Sequence, residues 1–136
     1  MEHLHGLMEL GKGLRVLYVE DDENLRLETT KIIERIFDMV DVASNGSEGL
    51  EAFKTAPYDL VITDIEMPHN NGIEMSRDIR QIDKSTPIVV VSAYSNADYF
   101  MEAISIGIDY YILKLFMLGM SINTWSWRVK YLIDFI

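Results

Sequence analysis

Four short apolar runs recur along the chain: Val16-Leu17-Tyr18-Val19, Leu60-Val61-Ile62-Thr63, Ile88-Val89-Val90-Val91 and Tyr110-Tyr111-Ile112-Leu113. Each is about one strand long, rich in β-branched or aromatic residues and free of polar alternation, the pattern of strands covered on both faces. Met39-Val40-Asp41-Val42 is a weaker fifth. The intervening segments carry helical spacing at Leu25, Thr29, Ile32 and Ile36, at Leu50 and Phe53, at Met75, Ile79 and Ile82, and at Ala97, Met101 and Ile104. Strand and helix alternate, with punctuation at Asn45-Gly46, Pro57, Pro68, Gly72, Pro87 and Gly107. Such a chain winds βαβ units around a parallel sheet, a doubly wound α/β architecture.

The two ends depart from this rhythm. Residues 1–13 carry Leu4, Leu7, Met8 and Leu10 among polar neighbours and read as an arm or a short amphipathic helix ahead of a domain spanning 14–136. Beyond Gly119, residues Ile122, Trp125, Val129, Leu132 and Ile136 form one apolar stripe of a last helix, at about 120–136. Trp127, Tyr131, Ile133 and Phe135 lie off that stripe, so the helix is expected to pair with another copy or to lead into an effector domain.

Charge and composition narrow the function. A net charge of −10 repels phosphate backbones and argues against direct nucleic-acid binding. No apolar stretch reaches the length of a membrane span, and the absence of Cys excludes a disulfide scaffold or a thiolate metal site. A cytoplasmic setting is the expectation. Part of the acidic excess is concentrated in Glu20-Asp21-Asp22-Glu23, four carboxylates that repel one another unless a cation or solvent relieves them.

In open parallel sheets ligands bind beyond the carboxyl ends of the strands. The first strand ends in Glu20-Asp21-Asp22, the third in Asp64, the fourth in Ser92 and the last in Lys114. Right-handed winding brings these to one edge, where clustered carboxylates suit a hard cation such as Mg²⁺ that keeps an open side for phosphate. Asp64 is then placed to attack phosphorus, with Lys114 and the metal neutralising phosphoryl oxygens and Ser92 donating a hydrogen bond. Taken singly each residue has a plainer reading: Asp64 as a turn or cap, Glu20 to Glu23 as partners of a helix dipole, Ser92 as a cap, Lys114 as a surface cation. His69, in an Asn-rich loop, and the terminal His3 and His5 read as solvated.

From about Leu14 to Phe116 the chain resembles response-regulator receiver domains. The resemblance rests on Val19-Glu20-Asp21-Asp22 with Arg26 beyond, Asp64-Ile65-Glu66-Met67-Pro68 with Gly72, Val91-Ser92-Ala93, and Tyr111 three residues before Lys114. It implies a flavodoxin-like five-stranded sheet in the order 2-1-3-4-5, and a phosphoryl group accepted on Asp64 from a histidine kinase or phosphotransfer protein. It also implies Mg²⁺ or Mn²⁺ held by Asp21, Asp64 and the Glu66 backbone carbonyl directly and by Glu20 through water, with Asp22 just outside. Ser92 and Tyr111 become the switch that couples phosphorylation to the surface of the fourth helix, fifth strand and last helix. Glu66 and Tyr94 flank the path of the hydrolytic water and are expected to tune the phosphoryl lifetime. One departure is Leu115, where the family usually has proline after the Lys. A non-proline cis bond costs about 2.5–4 kcal/mol, so a trans peptide or an altered loop is expected there. Two other readings remain: a pseudo-receiver that binds partners without phosphorylation, and a haloacid-dehalogenase-like phosphatase, which typically carries Asp where this chain has Glu66.

Overall fold

The computed structural model describes residues 12–65, 67, 71–92 and 97–113. The arm at 1–11, Glu66, Tyr94, Lys114, Leu115 and the expected last helix lie outside them. Among the described residues nine elements alternate: β1 (Arg15–Val19), α1 (Glu23–Ile33), β2 (Met39–Ala43), α2 (Gly46–Thr55), β3 (Leu60–Asp64), α3 (Gly72–Ile82), β4 (Ile88–Ser92), α4 (Ala97–Ile106) and β5 (Tyr110–Leu113). The strands are all parallel and lie in the order β2-β1-β3-β4-β5, the doubly wound sheet that the alternation predicts. Among the described residues no helix is long and apolar enough to cross a membrane.

Because neighbouring side chains on a strand face opposite ways, the continuous apolar runs feed two separate cores. Val16, Tyr18, Leu60, Ile62, Val89 and Val91 pack with Ile33, Ile36 and Phe37. Leu17, Val19, Val61, Ile88 and Val90 pack with Phe53, Ile73, Met75, Ile79 and Ala103 from α2, α3 and α4. Burying one such aliphatic side chain contributes about 1.5–3 kcal/mol, so both faces stabilise the sheet.

Three helices begin on residues whose side chains cap them. Asp22 accepts from the Leu25 amide at 3.0 Å, Asn45 from Glu48 at 2.9 Å and Asn71 from Glu74 at 2.9 Å. Each cap satisfies an amide that the helix cannot, worth about 1 kcal/mol. The end of α4 uses Gly107 at φ +88°, a conformation that suits a residue without a β-carbon, and Ile108 donates back to Ala103 at 3.0 Å.

In α4 the spacing points to the wrong face. Met101 and Ile104 are 62% and 56% exposed, while Ala103 is buried and Tyr99 and Ile106 pack on the second core. The helix is apolar on more than one side, so periodicity alone does not single out its inner stripe.

Candidate metal and phosphoryl site

The site lies at the carboxyl edge, where β1 and β3 are neighbours in space although β2 separates them in sequence. This is the point at which the winding reverses. Register places its residues. Val19 pairs with Thr63, so Glu20 and Asp64 each stand one step beyond that pair, and Asp64 pairs with Val91, one residue before Ser92. Carboxylate oxygens of Glu20, Asp21 and Asp64 all lie within 4.8 Å of one another. Glu20 and Asp64 are 1% and 5% exposed, whereas Asp21 faces solvent.

The acidic run after β1 therefore divides between two jobs. Asp22 is the α1 cap and Glu23 lies in its first turn, while Glu20 and Asp21 join Asp64. The plainer reading thus holds for one half of the run and the clustered reading for the other.

Backbone bonds hold Asp64 in place. The Ile65 amide donates to Asp64 Oδ1 at 2.8 Å, and the buried Thr63 hydroxyl donates to the Asp64 carbonyl at 2.8 Å. The Gly72 amide reaches back to the Ile65 carbonyl at 2.8 Å, which seats the start of α3 against the end of β3. A β-carbon at Gly72 would collide with the Asp64 carbonyl oxygen, so this approach requires glycine. Arg26 of α1 donates from Nη1 to the Glu20 carbonyl at 2.9 Å. Tyr18 is buried and hydrogen-bonded to Thr29; burial, reinforced by the charges of Glu20 and Asp64, pushes its hydroxyl far above the usual tyrosine range.

Ser92 closes β4 and is 1% exposed. It pairs with Leu113, the last described residue of β5; Lys114 and Glu66 lie outside the described residues. Tyr111 pairs with Val90 and is half-buried, its ring edge-on to Phe100 with centroids 5.5 Å apart. Thr63 and Tyr18 were not singled out by the sequence, because a hydroxyl inside an apolar run looks like any other strand residue. Arg26 was visible only as a landmark, since its partner is a carbonyl that no motif encodes.

Ionised carboxylates this close, two of them buried, are costly without a compensating cation, and an all-oxygen donor set open on one side suits Mg²⁺. The residues present therefore fit such an ion.

Fold and site together define a class: an open parallel α/β sheet with a carboxylate cluster at its topological switch point. Comparison with known proteins specifies it. The model of the response regulator receiver domain family matches residues 16–121. The chain is similar to the chemotaxis protein CheY of Halobacterium salinarum, 35% identical over 75% of this chain and 85% of that protein. It is also similar to the response regulator ArlR of Staphylococcus saprophyticus, 36% identical over 75% of this chain but only 46% of that protein. Among solved structures it resembles the response regulator TrrA of Thermotoga maritima in complex with Mg²⁺ and BeF, at 33% identity and TM-score 0.72, over 88% of this chain and 98% of that one. The chain belongs to the response regulator receiver domain family, whose members are signalling modules of two-component systems. That membership sets the haloacid-dehalogenase-like reading aside. The chain spans most of the chemotaxis relative but less than half of ArlR.

Proposed function

We propose that this chain is a phosphorylation-controlled receiver that accepts a phosphoryl group on Asp64 from a histidine kinase or phosphotransfer protein, in a reaction dependent on Mg²⁺ or Mn²⁺. The observation that carries the reading is the convergence of Glu20, Asp21 and Asp64 within 4.8 Å at the switch point of the sheet. Asp21, Asp64 and the Glu66 carbonyl would hold the ion directly and Glu20 through water. When bound, the ion neutralises charge on the transferring phosphoryl oxygens.

The protein's own part is positioning. The Ile65 amide fixes the plane of the Asp64 carboxylate, which is a competent nucleophile without a general base. Attack by a carboxylate oxygen forms the new O–P bond while the donor's P–N or P–O bond breaks and its electron pair leaves with the donor. Lys114 supplies a cation and Ser92 a hydroxyl to the oxygens of the aspartyl phosphate. Those contacts exist only in the phosphorylated form, so they are what shifts the Tyr111 switch and the surface around α4 and β5. The last helix is the candidate link to a second copy or to an effector domain, in keeping with the greater length of the ArlR relative.

Intact mass after incubation with Mg²⁺ and acetyl phosphate tests the reading. A gain of one phosphoryl group is expected in the parent and none in Asp64→Asn. No gain in the parent would leave the pseudo-receiver reading, and an equal gain in the variant would move the acceptor elsewhere.

A further inference from the structure

The β1–β2 ladder runs out just where the metal site begins. Their last paired residues are Val19 and Ala43, and the Glu20 amide makes one more bond, to the Ala43 carbonyl at 3.0 Å. Beyond that point the chain after β2 turns away: the Ser44 amide and hydroxyl both donate to Glu48 Oε2, at 2.9 and 2.6 Å, and Asn45 becomes the α2 cap. The paired register of β1 and β2 ends there. Arg26 donates from Nη1 to the Glu20 carbonyl at 2.9 Å.

That carbonyl belongs to the planar peptide unit that also contains the Asp21 amide. Holding it sets the direction in which Asp21 leaves the strand and keeps the Glu20 backbone tied on both sides. Arg26 is itself anchored in the first turn of α1, where its amide donates to the Asp22 carbonyl at 2.8 Å. Its charge also reaches Glu48, whose carboxyl is held below its ordinary range chiefly by the Ser44 hydroxyl and to a smaller degree by Arg26.

We propose that Arg26 is a positioning residue for the divalent-metal site, its guanidinium holding the Glu20–Asp21 peptide so that both carboxylates converge on Asp64. The inference rests on the metal reading given above.

Charge and positioning predict opposite signs, which makes the role testable. A nearby cation repels Mg²⁺, so removing Arg26 would tighten metal binding if charge were all it supplied. Loss of a group that orients metal ligands typically weakens binding 10–100-fold. Calorimetric titration of the purified chain with magnesium chloride, at fixed ionic strength, is expected to show about 10-fold weaker affinity in Arg26→Met. Arg26→Lys, which keeps one donor on a stem of similar length, should stay within about 3-fold of the parent if that donor restores the bond. Circular dichroism and a urea midpoint verify the fold of each variant. Should Arg26→Met fail to fold, Arg26→Gln, whose amide is too short to reach the carbonyl, is read the same way. Equal or tighter Mg²⁺ binding in the Met or Gln variant overturns the role of Arg26. No Mg²⁺ binding by the parent overturns the metal reading itself, a result distinct from a parent that binds and a variant that binds equally well.

Discussion

The two edges of the sheet treat charge in opposite ways. Away from the carboxyl edge, Asp41, Asp83 and Asp109 each accept from a cation or a hydroxyl. Asp41 accepts from Arg15 at 2.7 Å and from Tyr58 at 2.7 Å, with the Arg15 guanidinium over the Tyr58 ring. Arg80 clasps Asp109 and the carbonyls of Thr86 and Gly107, and Asp83 accepts from Ser85 and Thr86. At the carboxyl edge three carboxylates stand side by side. Matched charges at one end serve as staples, whereas the crowded carboxylates at the other fit a cation.

The largest effect separating the edges should be metal-dependent. Mg²⁺ at about 100 times its dissociation constant is expected to stabilise the parent by about 2.7 kcal/mol in urea unfolding. Asp64→Asn should lose this gain while folding normally without metal; a full Mg²⁺ response in that variant would break the contrast. Next comes Arg80→Ala, which removes charge-assisted bonds at the opposite edge and should cost about 2 kcal/mol. Its Mg²⁺ affinity, measured on the folded fraction, should match the parent's. The smallest effect is acid sensitivity at the amino edge. Hydrogen bonds from the Ser85 amide, then the Thr86 and Ser85 hydroxyls, lower the Asp83 carboxyl to about 2. A carboxyl depressed in the folded state contributes stability above its unfolded value of about 3.9, and loses it as pH falls toward 2. Thermal scans from pH 5 to 2 should therefore fall less steeply for Asp83→Asn than for the parent.

The sequence disclosed the sheet because three of its strands, β1, β3 and β4, are buried on both faces and leave runs that no surface segment would carry, while the edge strand β5 shows the same kind of run although Tyr110 is exposed. The edge strand β2 was the faint one, since Asp41 sits mid-strand to bind Arg15 and Tyr58. Helix α4 misled through Met101 and Ile104, which are exposed and share a segment with the buried Ala103. The acidic site was legible because parallel winding sends every strand's carboxyl end to one edge. Asp21 and Asp22, adjacent and chemically identical, were told apart in the sequence only through the family resemblance; in the structure Asp22 caps α1 and Asp21 joins the carboxylate cluster. Arg26 was legible as a landmark but its role was not: an arginine one turn into a helix looks like surface until its carbonyl partner is known.

The tight seat of Gly72 against Asp64 bears on how a mutational scan of this protein would look. Position 72 should tolerate as few substitutions as Asp64, the proposed acceptor, although it carries no functional group. One position fails because a backbone has no room, the other because a carboxylate is irreplaceable, and a growth-based readout would score them alike. Only paired measurements of abundance and phosphorylation would tell the two apart, with replacements at 72 depleting the folded protein and Asp64→Asn leaving it abundant but unlabelled.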